Sequence, residues 1–321
     1  MQIWSLDELA AYAECALDSG ARRLWAGQSI LMNTGAALAV VASKFPGLSF
    51  GIGVQLVQLE HPMQAALTAR TIAEVSGAPF ALCVGVGGKN FQDALSPDGL
   101  GSPADVAARY IGNVRRMLYG SGPGGSEDAA SGDPVLPAST APPVLIGAGV
   151  LRERMAFEAG GVADLVLTWL APTAYIESTI LPALESGANH RGRARPTVCS
   201  VVHIVVERTG RDYPATVLAA VRNHLSADHY CAMLRRAGIA ADPRSPAATA
   251  QALVESDTIV IGTPESIAQA VVDLYRRGVD EVVLNIAGTH VMEGPAAALA
   301  DIRLVFDAVR ELTDSSAGEV S

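Results

Sequence analysis

Apolar positions along this chain fall into short continuous runs separated by stretches of helical period, and the two patterns alternate from end to end. Ser5-Leu6-Asp7-Glu8 has capping-box spacing and predicts a helix to about residue 19, after which RRLWAG (22–27) reads as a short buried strand. TGAALAVVASKF (34–45) is helical, LSFGIGVQL (48–56) is the next strand, and Pro62 stands at the first position of the helix that follows. PFALCVGVGG (79–88) precedes the helix SPADVAARYIGNVRRMLYG. PVLIGAG (143–149) and ADLVLTWL (163–170) flank the helix LRERMAFEAGG. A helix at 174–186 leads to the β-branched strand RPTVCSVVHIVVE (195–207). Helical patterns at 213–238 and 246–255, and then TPESIAQAVVDLYRRG, precede the last strand, DEVVLNIAG (280–288); a closing helix covers 295–312.

Counting MQIWS as a clipped first strand gives eight strands, nearly all apolar and each followed by a helix. Such strands belong to a parallel sheet covered by helices, and eight of them favour an α/β fold of the (β/α)8 TIM-barrel type with insertion segments. A doubly wound sheet is the alternative. The expected organisation is a single domain over 1–313 with insertions at about 89–103, 120–142 and 208–257, and a disordered tail at 314–321. The stretch 120–143, rich in Gly, Ser, Pro and Asp, reads as a flexible excursion.

Composition narrows the function classes. Of the 321 residues, 50% are hydrophobic and 17% charged, which supplies a core and excludes global disorder. The formal charge of -10 argues against nucleic acid or an acidic membrane as partner, so an anionic cofactor has to be held locally by backbone amides and a few arginines. Cys15, Cys83, Cys199 and Cys231 are scattered and read as buried free thiols in a reducing compartment, with no metal triad of suitable spacing. The N-terminal stretch lacks a basic region followed by an apolar one, and no apolar run is long enough for a bilayer. A cytoplasmic protein is expected.

In a barrel the chemistry belongs at the C-terminal ends of the strands. Four stretches stand out there: Gly51, Gly53 and Val54; Gly85, Val86, Gly87 and Gly88; Gly147, Ala148, Gly149 and Val150; and Thr168 with Trp169. Glycine at several neighbouring strand ends lets a flat ring or a phosphate approach the backbone. Each glycine alone is equally well explained as a turn into its helix.

The order of LDSGARRLWAGQ, GIGVQLVQLEHPMQAALTARTIAEVSG, LCVGVGG, PVLIGAGVLRERMAFEAGGVADLVLTW and GTPESIAQAVVDLYRRGVDEVVL resembles the luciferase-like monooxygenase superfamily, and within it the F420-dependent oxidoreductase branch. The resemblance implies a non-prolyl cis peptide in a bulge at Gly53 and Val54, behind the ring of coenzyme F420 or, alternatively, FMN. It also implies a phosphate-side loop at Gly147 to Val150, which Arg115 or Arg116 could assist. The chain departs from the family where acid–base residues often stand. Gln28 and Ser29 replace an acidic residue and His, and Asn90 stands where some members have Glu, which leaves Gln28 and Asn90 as ring or substrate contacts.

These departures fit reduction of a C=C or C=N bond in a small or peptide-like substrate, in a secondary-metabolite pathway, better than oxidation by the usual base. His203 is the candidate catalytic proton donor, with a core-filling role as the alternative. His61 reads as local structure, and His229 and Tyr230 as part of a lid or of an ordinary amphipathic helix. The competing functions are an FMN-dependent monooxygenase using O2 and a reductase partner, and a non-catalytic barrel serving as a binding subunit. A homodimer accords with the resemblance.

Overall fold

The computed structural model describes residues 4–96, 99, 101–120 and 135–318, and side chains for all of these except 90, 91 and 315–318. Eight strands alternate with helices: β1 (Arg23–Ala26), β2 (Ser49–Leu56), β3 (Phe80–Gly85), β4 (Val144–Gly149), β5 (Leu165–Trp169), β6 (Thr197–Val206), β7 (Ile259–Gly262) and β8 (Glu281–Asn285). The helices are α1 (Leu6–Asp18), α2 (Thr34–Ala42), α3 (Pro62–Ser76), α4 (Lys89–Leu95), α5 (Pro103–Tyr119) and α6 (Glu153–Val162). After them α7 (Thr173–Tyr175) runs through a π-turn (Ile176–Ile180) into α8 (Leu181–His190). Then come α9 (Tyr213–Leu225), α10 (Asp228–Arg236), α11 (Pro246–Glu255), α12 (Pro264–Arg276), α13 (Ala287–Glu293) and α14 (Pro295–Gly318). The strands pair in parallel from β1 to β6 in chain order. The long β6 then carries β8 along Cys199 to His203 and β7 along His203 to Val206. This is the TIM-barrel type of fold expected from the alternation. Among the described residues no helix is long and apolar enough to cross a membrane.

The eighth strand is not the one expected. Trp4 and Ser5 are not in a strand; Ser5 Oγ accepts from the Glu8 N–H at 3.1 Å and caps α1, while Met1, Gln2 and Ile3 lie outside the described residues. The strand the pattern missed is β7, four residues between α11 and the Thr263 cap of α12, too short for its period to emerge from the helices around it. Two further boundaries differ. The helix predicted at 213–238 divides into α9 and α10 around Ser226 and Ala227, and α14 continues to Gly318, past the expected start of a tail at 314. Of the insertion at 120–142, residues 121–134 lie outside the described residues, as do 319–321.

Alternation along the strands separates two cores. Phe50, Ile52, Phe80, Ile146 and Ile204 face the surrounding helices in the larger cluster. The intervening residues, among them Trp25, Cys83, Leu165, Leu167, Cys199 and Val201, pack into a second cluster that fills the lumen. Burial pushes the Cys83 and Cys199 thiols above their ordinary range. The glycines of GIGV serve this lumen. A Cβ on Gly51 would stand 2.7 Å from Trp25 Cε3, and one on Gly53 would stand 2.4 Å from Leu167 Cδ2 and 3.1 Å from Trp25 Cε3. The low part of the glycine-bearing strand therefore makes room for an indole from the neighbouring strand.

Among the described residues β1 and β8 share no ladder; a buried side chain joins them. Glu281, the first residue of β8 and 6% exposed, accepts the Trp25 Nε1–H at 2.7 Å and accepts from Arg23 Nη1 at 3.1 and 2.9 Å on its two oxygens. Arg23 Nε in turn donates to Ser49 Oγ on β2 at 3.0 Å. Removing one member of a buried ion pair leaves the other charged and unsolvated, which costs about 3–5 kcal/mol. Glu281→Ala is therefore expected to lower unfolding stability in urea by that order. Glu281→Gln also leaves the Arg23 charge unpaired but keeps one oxygen acceptor, and is expected to lose less than Glu281→Ala only by the worth of that hydrogen bond, roughly 1 kcal/mol.

Candidate active site

At the C-terminal end of the strands the lumen is walled by one valine lying across two glycines. The peptide between Gly53 and Val54 is cis, at the position the resemblance implied, and the β2–β3 register shifts between Gly53 and Gln55. The Val54 side chain packs against the lumen cluster. A Cβ on Gly85 would stand 2.7 Å from Val54 Cγ2, and one on Gly149 would stand 2.7 Å from Val54 Cγ1. Those two glycines are thus filled by a protein side chain, and the surface left for a ligand is the apolar face of Val54 with the backbone around it. Gly87 holds a positive φ of 68°, turning the chain out of β3, and a Cβ on Gly88 would lie 3.2 Å from His229 Cε1 on α10.

Period-two geometry decides which of the remaining candidates face this wall. Trp169 follows Leu165 and Leu167 on the lumen face of β5, and His203 follows Cys199 and Val201 on that of β6. Thr168, one residue off, points the other way; it is fully buried and donates to Ser200 Oγ at 3.1 Å, so it does not line the site. Ala148 and Val150 likewise belong to the outer core, and the Val150 N–H is committed to Leu167 O at 2.8 Å, which removes it as an anion donor. Gly147 faces the lumen one layer lower, where a Cβ would strike Leu165 O at 2.3 Å and Cys83 Sγ at 2.9 Å. Gln28 lies in the loop after β1 and its amide donates to Ser29 O at 3.2 Å, while Asn90 falls on α4, just past the β3 end.

Rings from the barrel and from the α9–α10 insertion stack across the mouth. His203 meets Trp169 edge-on at 5.3 Å, Trp169 meets His224 at 5.1 Å, His224 meets Tyr230 edge-on at 5.1 Å, and His229 lies 4.6 Å from Tyr230. Both nitrogens of His203, Nδ1 of His224 and Nε1 of Trp169 are buried with no hydrogen-bond partner. Burial, reinforced by the charge each imidazolium would present to its neighbour, pushes His203 down to about 3; burial, with His229 nearby, pushes His224 down to about 4. Burial also lifts the Tyr230 phenol above its ordinary range. At neutral pH the mouth thus offers neutral donors and acceptors. Burial favours the neutral imidazole of His203, whose two nitrogens have no hydrogen-bond partner.

The positive charge sits elsewhere than expected. Arg115 is bound to Asp164 Oδ1 at 2.8 Å, and Arg116 donates to Asn113 on its own helix at 3.1 Å. Arg152, at the N-cap of α6 directly after the Gly149–Leu151 loop, donates to His229 O at 3.0 Å. Burial lowers the pKa of its guanidinium, and the nearby charge of Arg236 on α10 lowers it further. Neither guanidinium is paired with a carboxylate among the described residues. Two cations left together beside a helix N-terminus suit a bound anion. Sequence reading missed Arg152, Arg236 and His224, because nothing in an amphipathic insertion says which of its side chains will face the barrel. Trp169 stood out in the sequence together with Thr168, and period two from Leu165 selects it as the lumen-facing one of the two. His61 is local structure, its Nδ1 accepting from the Met63 N–H at 3.2 Å.

A parallel eight-stranded sheet with glycine-bearing strand ends, capped by a helical insertion, is a TIM-barrel type of architecture. The chain belongs to the luciferase-like monooxygenase family, whose model matches residues 2–281. Among solved structures it is similar to an F420-dependent secondary alcohol dehydrogenase in complex with an F420–acetone adduct, at 14% identity over 95% of this chain and 96% of that chain, with a TM-score of 0.69. It is similar to the coenzyme F420-dependent tetrahydromethanopterin reductase from Methanopyrus kandleri, at 19% identity over 96% and 95% with a TM-score of 0.70. It is similar also to the EDTA monooxygenase of Chelativorans sp. BNC1, at 11% identity over 98% and 87% with a TM-score of 0.69. At these identities the likeness is one of fold. No curated protein matches the chain.

The buried histidines predict a pH dependence. Their folded pKa values lie below the ordinary value of about 6.5, so between the two the unfolded chain binds more protons and stability rises with pH. The stabilisation is complete above about pH 6.5 and is lost as the pH falls toward 3. His203→Phe removes one such proton and two unpartnered polar atoms. That variant is expected to unfold about 1–3 kcal/mol later at pH 7 and to show a flatter loss of stability from pH 6.5 to 4, measured by urea denaturation.

Proposed function

We propose that this protein is an oxidoreductase that uses coenzyme F420 to reduce a C=C or C=N bond of a small organic substrate. Neutral donors at the mouth carry this reading: Trp169 Nε1–H and the imidazoles of His203 and His224 are buried and unpartnered beside the Val54 wall. Val54 lying across Gly85 and Gly149 supports a flat ring against that wall, and Arg152 with Arg236 supports the phosphate arm. The bound reduced cofactor supplies a hydride.

The chain's own part is positioning and electrostatics. A donor N–H aimed at the acceptor end of the double bond stabilises the negative charge that develops there as the other end takes up hydride. Alcohol oxidation needs a group that removes a proton, and His203 and His224, lowered to about 3 and about 4, are weak bases. The helices α9 and α10 cover the mouth through the His224, His229 and Tyr230 rings and so limit water there.

Titration of the purified protein with F420 and, separately, with FMN, followed by fluorescence, tests the cofactor. F420 is expected to bind and FMN to bind at least tenfold more weakly. Tighter FMN binding replaces hydride transfer with oxygen chemistry, and binding of neither favours the non-catalytic barrel. The Gly53 position is a poor probe, because a side chain there strikes Leu167 and Trp25. Arg152→Ala combined with Arg236→Ala is the sharper variant, expected to weaken F420 about tenfold and to flatten the salt dependence of its binding.

A further inference from the structure

The same unpartnered atoms select a class of substrate, an inference that rests on the mouth being the reaction site. Each buried polar atom without a partner costs about 1–3 kcal/mol, and such atoms are rare in folded proteins. Here they come together: Nδ1 and Nε2 of His203, itself 2% exposed, with Trp169 Nε1 and His224 Nδ1, on rings 5.3 and 5.1 Å apart. They project from three elements, β5, β6 and α9, so no single turn or cap accounts for the set.

We propose that Trp169, His203 and His224 form the recognition subsite for an uncharged substrate that carries a carbonyl or imine acceptor. The indole has only a donor to give, which fixes the ligand atom opposite it as an acceptor. Each neutral imidazole has one N–H and one lone pair, so the pair can add a second donor to that acceptor and receive an adjacent N–H. No carboxylate, ammonium or guanidinium hydrogen-bonds to these three rings among the described residues. The nearest cations in the chain of contacts are Arg152, which donates to the carbonyl of His229, and its neighbour Arg236, the pair assigned above to the anionic arm. An ionised ligand group would lose its water here without gaining a hydrogen-bonded counter-charge from these rings, a penalty that disfavours carboxylate substrates. The three side chains are therefore contact residues that read charge as well as shape.

The test does not depend on the cofactor. In protein labelled with 15N at tryptophan, the indole N–H of Trp169 is distinguished from those of Trp4 and Trp25 by Trp169→Phe. Cyclohex-2-enone and 2-pyrrolidinone serve as uncharged probes, and crotonate is the anionic one. At least one uncharged probe is expected to move the Trp169 indole proton downfield while Trp25 stays in place, with crotonate at least tenfold weaker. His203→Phe and His224→Phe are each expected to weaken the uncharged probe fivefold or more, and His203→Gln, which keeps a donor, to recover part of the loss. An equal or larger response to crotonate overturns the proposal, as does no response to either uncharged probe or an unchanged response in both Phe variants. Failure of F420 to bind in the separate titration leaves these outcomes intact and counts only against the cofactor.

Discussion

A carboxylate buried at the foot of β8 holds the barrel together where the backbone does not. Glu281 accepts a hydrogen bond from Trp25 Nε1 and two from Arg23 Nη1, and Arg23 Nε reaches on to Ser49, so Glu281 ties β8 to β1 and Arg23 ties β1 to β2. The indole that meets Glu281 packs where a side chain on Gly51 or Gly53 would strike it. Leu167 belongs to the same lumen cluster and would be struck by a side chain on Gly53 as well. A polar contact at the foot of the barrel and the packing of its lumen thus share one residue, Trp25.

The parallel alternation was legible because buried strands write themselves as apolar runs of fixed length between amphipathic helices. What escaped was short or one-sided. β7 has four residues and no room to show a period, and Trp4 and Ser5, counted in a first strand to complete a barrel of eight, lie in none. The site was legible to the level of a strand end and no finer. Gly53 and Val54 were found at the bulge, yet the glycines at 85 and 149 turned out to receive Val54 itself. The side chains of Thr168, Ala148 and Val150 stand one position off the lumen face, which in a strand is the difference between lumen and helix layer. Arg152, Arg236 and His224 came from segments whose facing is decided by tertiary packing alone.

The mouth combines two features that pull in opposite directions. Rings stacked from Trp169 through His224 to Tyr230 knit the α9–α10 insertion onto the barrel, which stabilises, while the nitrogens they bury go unbonded, which destabilises. Folded proteins tolerate such local losses where a ligand recovers them. Neutrality has the same origin as the loss: burial that strips the imidazoles of partners also keeps protons off them. Positive charge lies apart from these rings, on Arg152 and Arg236, so the mouth has a neutral half and a cationic half.

The paired thiols of the lumen give this architecture a built-in clock. Cys83 on β3 and Cys199 on β6 sit at 0% exposure with their ionisation suppressed, and Cys15 and Cys231 are buried under the helices. Alkylation requires a thiolate that reagent can reach. The two lumen sulfurs meet that condition only when strands separate, whereas Cys15 and Cys231 need no more than a helix to lift. The order in which the four are labelled therefore separates loosening of the outer shell from opening of the barrel itself.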